Sequence, residues 1–187
     1  MSGRAWVLDL GCGAVRSPMI AGHLTCGLDV SLDALTEAMK RDPRPPVCGR
    51  GEQLPFRNDS FSLAVSNVAV PYMDIPAALS EIARVLRPGG TVWLSLHPPS
   101  MTARELWRAL RRANFRNMLY RLYILANGTC FLLTGRLFRF PLKRGRCESF
   151  QTATGMKRAM LAQGFDDFRW ERQGRQFVVT ARKLGRP

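Results

Sequence analysis

Histidine is nearly absent. The chain of 187 residues has two, His23 and His97, which excludes a histidine-rich metal centre. The five cysteines, Cys12, Cys26, Cys48, Cys130 and Cys147, are an odd, scattered set with no CxxC pair. That excludes a disulfide framework and a cysteine zinc site, and fits a reducing cytosol. No metal is expected. The opening residues, MSGRAWVLDL, lack the apolar stretch and small-residue cleavage site of a secretory signal, so the expected location is cytoplasmic. Acids are also scarce: 14 Asp and Glu face 28 Lys and Arg, a net charge of +14. What remains is an ordinary globular composition, 46% hydrophobic, which rules out disorder and collagen. The length suits a single domain over 1–187 with a real core.

The positive charge is concentrated. Residues 1–103 balance 9 bases with 9 acids, whereas residues 104–146 hold 11 bases and one acid, Glu105. A neutral scaffold therefore carries one cationic insert. A charge run is often only a solvated face. Ten net positives in 43 residues exceed that need and point to an anionic partner.

The scaffold alternates strand and helix. Residues 5–10 form a short apolar run that feeds Gly11-Cys12-Gly13. Residues 15–22 suit a short helix, with Pro18 in its first turn. Strand two covers 25–30, and Ser31 caps a helix over 32–40 with Leu32, Leu35, Ala38 and Met39 on one face. Val47-Cys48 is a brief third strand, and 61–70 is an apolar run suited to a strand buried on both faces. Asp74 caps a helix over 75–86, the RPGG turn follows at 87–90, and strand five covers 91–97. A late helix over 152–163 ends at Gly164, and two strands close a hairpin around Gly174. Short loops between alternating elements predict an α/β fold with a doubly wound, largely parallel sheet.

Two signals in this frame carry chemistry. The glycine turn lets backbone approach a ligand closely. Asp29 closes strand two, 20 positions after Asp9, where an acid can accept both hydroxyls of a ribose. The plainer roles are an ordinary tight turn and a helix cap, although Ser31 serves as cap better.

The ordered segments VLDLGCG, GLDVS, GRGEQLPFRNDSFSLAVSN and ALSEIARVLRPGGTVWLSLH resemble the motifs of class I S-adenosylmethionine-dependent methyltransferases. The resemblance is closest to the small-molecule, methyltransferase type 11 branch, which includes enzymes of the ubiquinone and menaquinone biosynthesis type. It covers about residues 5–97 and, more faintly, 150–183. It implies a Rossmann-like, seven-stranded sheet with the last strand antiparallel, and S-adenosylmethionine as cofactor. By position, Asp9, Gly11, Cys12 and Gly13 would line the methionine part, Asp29 would hold the ribose, and Val30 would border the adenine. Gly51 and Glu52 would lie in the adenine-edge loop. Asn67 would stand near the reacting methyl. The family usually carries a further glycine where this chain has Val15 and an acid where it has Arg50. The family's N-terminal lead-in over the cofactor has no counterpart before strand one, which implies an open site or a lid made by other residues.

Methyl transfer from a sulfonium is an in-line displacement, so the protein mainly supplies orientation and a dry site. A base is needed only for a poorly ionised acceptor. His97, at the carboxyl end of strand five, is the one histidine placed for that role; the plainer reading, a hydrogen-bonded loop residue before Pro98-Pro99, is preferred on sequence. His23 reads as a surface residue and Cys12 as a packing residue.

The insert, 98–150, is expected to be mainly helical, to lie between strands five and six, and to form a lid on the acceptor side. Within it, 122–135 is apolar, bounded by Arg121 and Arg136 and broken by Asn127-Gly128. That run is too short to span a bilayer, which takes about 20 residues, but it suits an interface, with arginines meeting lipid phosphate. The expectation is therefore methyl transfer to a small, apolar or lipid-like acceptor, with residues 104–146 resting on an anionic membrane surface. Two alternatives stay open. One is RNA methylation, although Ser66-Asn67-Val68-Ala69 lacks the Asn/Asp-Pro-Pro-aromatic grip on a base. The other is a degenerate, non-catalytic interaction module.

Overall fold

The computed structural model describes residues 6–13, 23–41, 45–140 and 147–185. The short helix expected over 15–22, and Val15 with it, lies outside the described residues. Seven strands form one sheet: β1 (Trp6–Leu10), β2 (Leu24–Asp29), β3 (Pro46–Cys48), β4 (Phe61–Asn67), β5 (Leu86–Leu96), β6 (Phe165–Gln173) and β7 (Gln176–Lys183). The order is β3-β2-β1-β4-β5-β7-β6. The first five strands run parallel, whereas β7 pairs antiparallel with both β5 and β6. The expected α/β sheet with an antiparallel last strand is therefore present.

The helices are α1 (Leu32–Arg41), α2 (Ile75–Val85), α3 (Pro99–Arg111), α4 (Phe115–Thr134) and α5 (Ala153–Ala162). Their starts follow local chemistry. The Ser31 hydroxyl accepts from Ala34 N–H, Asp74 from Ala77, Asn114 from Asn117 and Thr152 from Gly155. Each bond satisfies one of the orphan donors of a first helical turn. In α2, Ile75, Ala78, Leu79, Ile82 and Val85 are fully buried, so the whole apolar stripe faces the sheet. In α1 the buried face is narrower than the sequence suggested. Leu35 and Ala38 are buried, while Leu32 and Met39 flank them in solvent.

Two strand limits differ from expectation. β4 stops at Asn67 because Val68 takes a left-handed backbone, φ 63°, which ends the pleat and leads into a 3-10 turn at Val70–Tyr72. β5 begins at Leu86, so the RPGG turn lies within its span as an irregularity. Phe61 pairs with Leu86 and Leu63 with Thr91, so residues 87–90 loop out of the ladder, with Gly89 at φ 75°.

The insert packs as two helices, and α4 runs through Asn127 and Gly128 without a break. The reason is packing. Residues 147–151 form a buried strap, and a Cβ on Gly128 would lie 2.4 Å from the Phe150 ring. Asn127 donates to Glu148 O at 2.9 Å and accepts from Phe138 N–H at 2.9 Å. The pair that reads as a helix breaker is a notch and a polar anchor for the strap.

This gives a prediction in which two effects oppose. An alanine in a helix is favoured over glycine by about 0.8–1.0 kcal/mol. Overpacking a tight core site costs about 1–3 kcal/mol. Gly128→Ala is expected to lower the midpoint of thermal unfolding, and Phe150→Leu in that background is expected to recover part of the loss. A rise in the midpoint on Gly128→Ala alone would contradict the notch.

Candidate active site

The carboxyl ends of β1, β2 and β4 converge on a cavity of about 330 Å3. Its floor is the glycine turn. Gly11 N–H and Cys12 N–H both donate to Leu28 O, at 2.7 and 3.1 Å, which ties the turn to β2. Gly11 sits at φ 69°, and a Cβ there would lie 2.1 Å from the Ala69 Cβ. Its side-chain hydrogen is all the space allows. One wall is Asp29. One carboxylate oxygen accepts from Gly13 N–H and the other from Ser31 N–H, both at 2.9 Å. A carboxylate offers about four acceptor positions, so half remain for a ligand. Val30, two-thirds exposed, stands beside it.

The opposite wall comes from the loop after β3. Gly49, Arg50, Gly51 and Glu52 line it, and a Cβ on Gly51 would meet Met73 Sδ at 2.5 Å. Glu52 accepts from Asp74 N–H at 3.2 Å and pairs with Arg50 at 3.3 Å, so it joins this loop to the start of α2. A clamp fixes the far end of the loop: Arg84 donates to Phe56 O, Leu54 O and Asn58 Oδ1, and grips Glu81, which in turn accepts from Leu54 N–H. The Arg84 guanidinium holds the Glu81 carboxyl below the usual carboxylate range.

Of the residues singled out from sequence, Gly11, Asp29, Val30, Gly51 and Glu52 share this cavity. Asp9 and Cys12 are buried, and Gly13 is engaged with Asp29; Asn67 ends β4 next to the left-handed Val68. None of these four lines the cavity. His23 is exposed. Tyr72, Ala69 and Met73 were not anticipated. They lie just past β4, where the loops of a doubly wound sheet receive ligands.

A second cavity of about 180 Å3 adjoins the first, and Tyr72 belongs to both. His97 lines it at 8% exposure, edge-on to the Tyr72 ring with centroids 5.7 Å apart. The His97 backbone is pinned by Gln151, which donates its N–H to His97 O at 2.8 Å and accepts from His97 N–H at 3.2 Å. Its imidazole makes no hydrogen bond among the described residues. Burial pushes the imidazole below the usual histidine range; Glu148 pulls it back and Arg121 adds to the lowering. Glu148 is buried, accepts from the Tyr120 hydroxyl and lies 3.8 Å from Arg121. Arg121 also reaches Glu105 at 4.0 Å. The sequence held a clue to these carboxylates: Glu105 and Glu148 are the only acids between residues 98 and 150, and both face this cavity.

A seven-stranded sheet of this order, with a glycine turn after β1 and an acid at the end of β2, is the frame of class I S-adenosylmethionine-dependent methyltransferases. Residues 8–94 match the family described as a methyltransferase domain. The chain is 37% identical over 123 residues to the malonyl-acyl-carrier-protein O-methyltransferase of Salmonella typhimurium, spanning 62% of this chain and 49% of that one. It is 32% identical over 118 residues to an 18S rRNA (guanine-N7)-methyltransferase of Bos taurus, spanning 54% and 42%. The chain thus covers less than half the length of these curated relatives. Among solved structures, a SAM-dependent methyltransferase from Methanosarcina mazei aligns with a TM-score of 0.64 at 21% identity, over 100% of this chain and 95% of that one. No helix among the described residues is long and apolar enough to cross a membrane.

The close approach at Gly11 is testable. A left-handed backbone costs a residue with a Cβ about 1–2 kcal/mol. Gly11→Ala meets that strain and Ala69 as well, whereas Gly13→Ala, at φ 53°, meets nothing within 4 Å. Calorimetry with S-adenosylhomocysteine is expected to show Gly11→Ala binding at least about tenfold more weakly than Gly13→Ala, a gap of ~1.4 kcal/mol. Equal losses would mean that strain alone matters.

Proposed function

We propose that this chain transfers a methyl group to a small acceptor held between Tyr72 and His97, and that the reacting atom of the acceptor carries a proton. The observation behind this reading is the His97 imidazole, buried yet without a hydrogen bond among the described residues, on a cavity that shares Tyr72 with the glycine-turn cavity. S-adenosylmethionine supplies a methyl group already activated on its sulfonium. The larger cavity suits it: two glycines stand where a Cβ would fill the space, and a carboxylate waits at the end of β2. In this reading Asp29 takes the ribose hydroxyls, Val30 and Gly51 border the adenine, and Gly11 admits the methionine part. Asp9, Cys12 and Gly13 hold the turn in shape from beneath, and Asn67 and Glu52 set the loops on either side.

The protein's own contribution is positioning and one proton. Tyr72 separates the two cavities and orients the acceptor. A neutral imidazole accepts the acceptor's proton as the new bond to carbon forms. The imidazolium then gains from Glu148, while Arg121 balances that carboxylate between turnovers. The groups that share this cavity with His97 include Tyr72 after β4, Glu105 on α3, Tyr120 and Arg121 on α4, and Glu148 and Ser149 on the strap. Most of them are polar, which favours an acceptor polar at its reacting end. Of residues 122–135, Ile124 alone lines this cavity. The names of the two curated relatives mark acceptor classes worth including in a panel, a malonyl thioester and a guanine.

A second reading concerns the outside of α4. Phe115, Leu119, Leu122 and Leu133 are 75%, 58%, 45% and 71% exposed, and their spacing puts them on one line opposite the buried Tyr123, Ile124 and Phe131. The five arginines on α3 and α4 share these helices with one acid, Glu105. An apolar line rimmed by cations suits an anionic lipid surface, to which each basic residue adds about 1 kcal/mol.

Each reading has its own measurement. With an acceptor found by S-adenosylhomocysteine release from a panel of phenols, amines and carboxylic acids, His97→Gln is expected to lower kcat at least about 100-fold, the scale of general-base catalysis. Cofactor affinity should hold. Because His97 is pushed down by burial, the wild-type rate is expected to rise with pH through a limb below the ordinary value of about 6.5, and the variant should lack that limb. Unchanged turnover in the variant would sink the base, and no binding of S-adenosylmethionine or its product at millimolar level would sink the enzyme. For the surface, sedimentation with phosphatidylglycerol vesicles but not phosphatidylcholine vesicles is expected, weakened by salt and lost in Leu119→Asp/Leu133→Asp. Equal indifference to both vesicles would remove the lipid reading.

A further inference from the structure

A third cavity, of about 350 Å3, lies between α3 and α4 and shares Glu105 and Arg121 with the His97 cavity. Arg108 and Ala109 line it from α3, with Arg112 at the cap that ends that helix; Asn117 and Arg121 line it from α4, with Asn114 at the cap that starts it. Three guanidinium groups thus face one carboxylate. Glu105 is already committed: it pairs with Arg108 at 2.5 Å and reaches Arg121 only at 4.0 Å. Arg112 has no carboxylate partner among the described residues.

This arrangement opposes the stability of the empty fold. Like charges four residues apart on a helix, as at Arg108 and Arg112, repel. A third guanidinium facing them from α4 adds to that repulsion. Arginines that only solubilise a surface point away from a helix junction. These line one, and the small, buried Ala109 keeps the groove open between them. Planar guanidinium forks match the oxygens of phosphate, and the anion would meet the charge of Arg112, which neither Glu105, paired with Arg108, nor Glu148, beside Arg121, takes up. The start of α4, capped by Asn114, adds its partial positive charge to the same groove.

We infer that the groove is a phosphate-binding subsite that holds the far end of the methyl acceptor, which makes the acceptor a small phosphate ester with its nucleophile at the other end. This rests on the reading that the acceptor's reacting atom lies at Tyr72 and His97. The continuity through Glu105 and Arg121 is what links the two ends. The same chemistry is offered by the headgroup of a phospholipid, so the test has to separate a soluble phosphate from a lipid one.

The experiment follows backbone amide and arginine Nε–H signals of the full chain, saturated with S-adenosylhomocysteine, during titration with inorganic phosphate, with sodium chloride at matched ionic strength as the reference. Shifts confined to Arg108, Arg112, Asn117 and Arg121 are expected with phosphate and not with chloride. Arg112→Gln is expected to weaken them at least fivefold, and Arg182→Gln, on β7 where Arg182 holds Gly89 O, to leave them unchanged. His97→Gln should retain the phosphate response, so loss of methyl transfer in that variant bears on the base alone. Shifts spread over all surface arginines, an equal response to chloride, or indifference to Arg112→Gln would overturn the subsite. A response to phosphatidylglycerol vesicles with none to soluble phosphate would assign the groove to a headgroup and overturn it as an acceptor subsite.

Discussion

The acceptor side of this molecule depends on a five-residue strap. Residues 147–151 are buried throughout, so every polar group in them must find a partner inside the protein. Ser149 N–H finds Pro71 O, Gln151 N–H finds His97 O, Glu148 O takes Asn127, and the Gln151 amide turns back on Ser149. Those bonds join the turn after β4, the end of β5 and the middle of α4. Remove the strap and His97 loses its backbone anchor, Glu148 leaves the cavity, and α4 loses what Gly128 and Asn127 are shaped to receive. An unsatisfied buried group costs about 1–3 kcal/mol, so several such bonds acting together set the geometry of the cavity.

Much of the scaffold is legible in the sequence because its signals are local. Short apolar runs followed by glycine or a capping residue place β1, β2, α1 and α2 within a residue or two. The acid at Asp29 and the glycine turn locate the first cavity, since both are consequences of where strands end in a doubly wound sheet. The insert is less legible for a physical reason. α4 is apolar on its inner and its outer face, so helical periodicity is weak, and Asn127-Gly128 imitates a break. Its meaning depends on Phe150, 22 residues further along the chain. The strap itself, CESFQ, has no periodicity and reads as loop; only tertiary burial gives it a role.

Likewise, the sequence could point to His97 but not to its neighbours. Tyr72, Glu148 and Arg121 come from three separate segments, and no spacing rule brings them together. The run 122–135 divides on folding in a way its sequence does not announce: Tyr123, Ile124 and Phe131 turn to the core, whereas Leu122 and Leu133 stay in solvent. The charge imbalance, by contrast, survives folding in part: Arg104, Arg108 and Arg111 sit on α3 and Arg116 and Arg121 on α4, with Glu105 the one acid on either helix.

Tyr72 is a single ring shared by two cavities, and that has a kinetic meaning. A ring that shifts to admit one ligand shifts for the other as well. The two occupancies are then not independent, and whatever factor one ligand imposes on the affinity of the other is returned in full. The order in which the two ligands enter, and the order in which the products leave, become properties of one side chain in a turn of three residues.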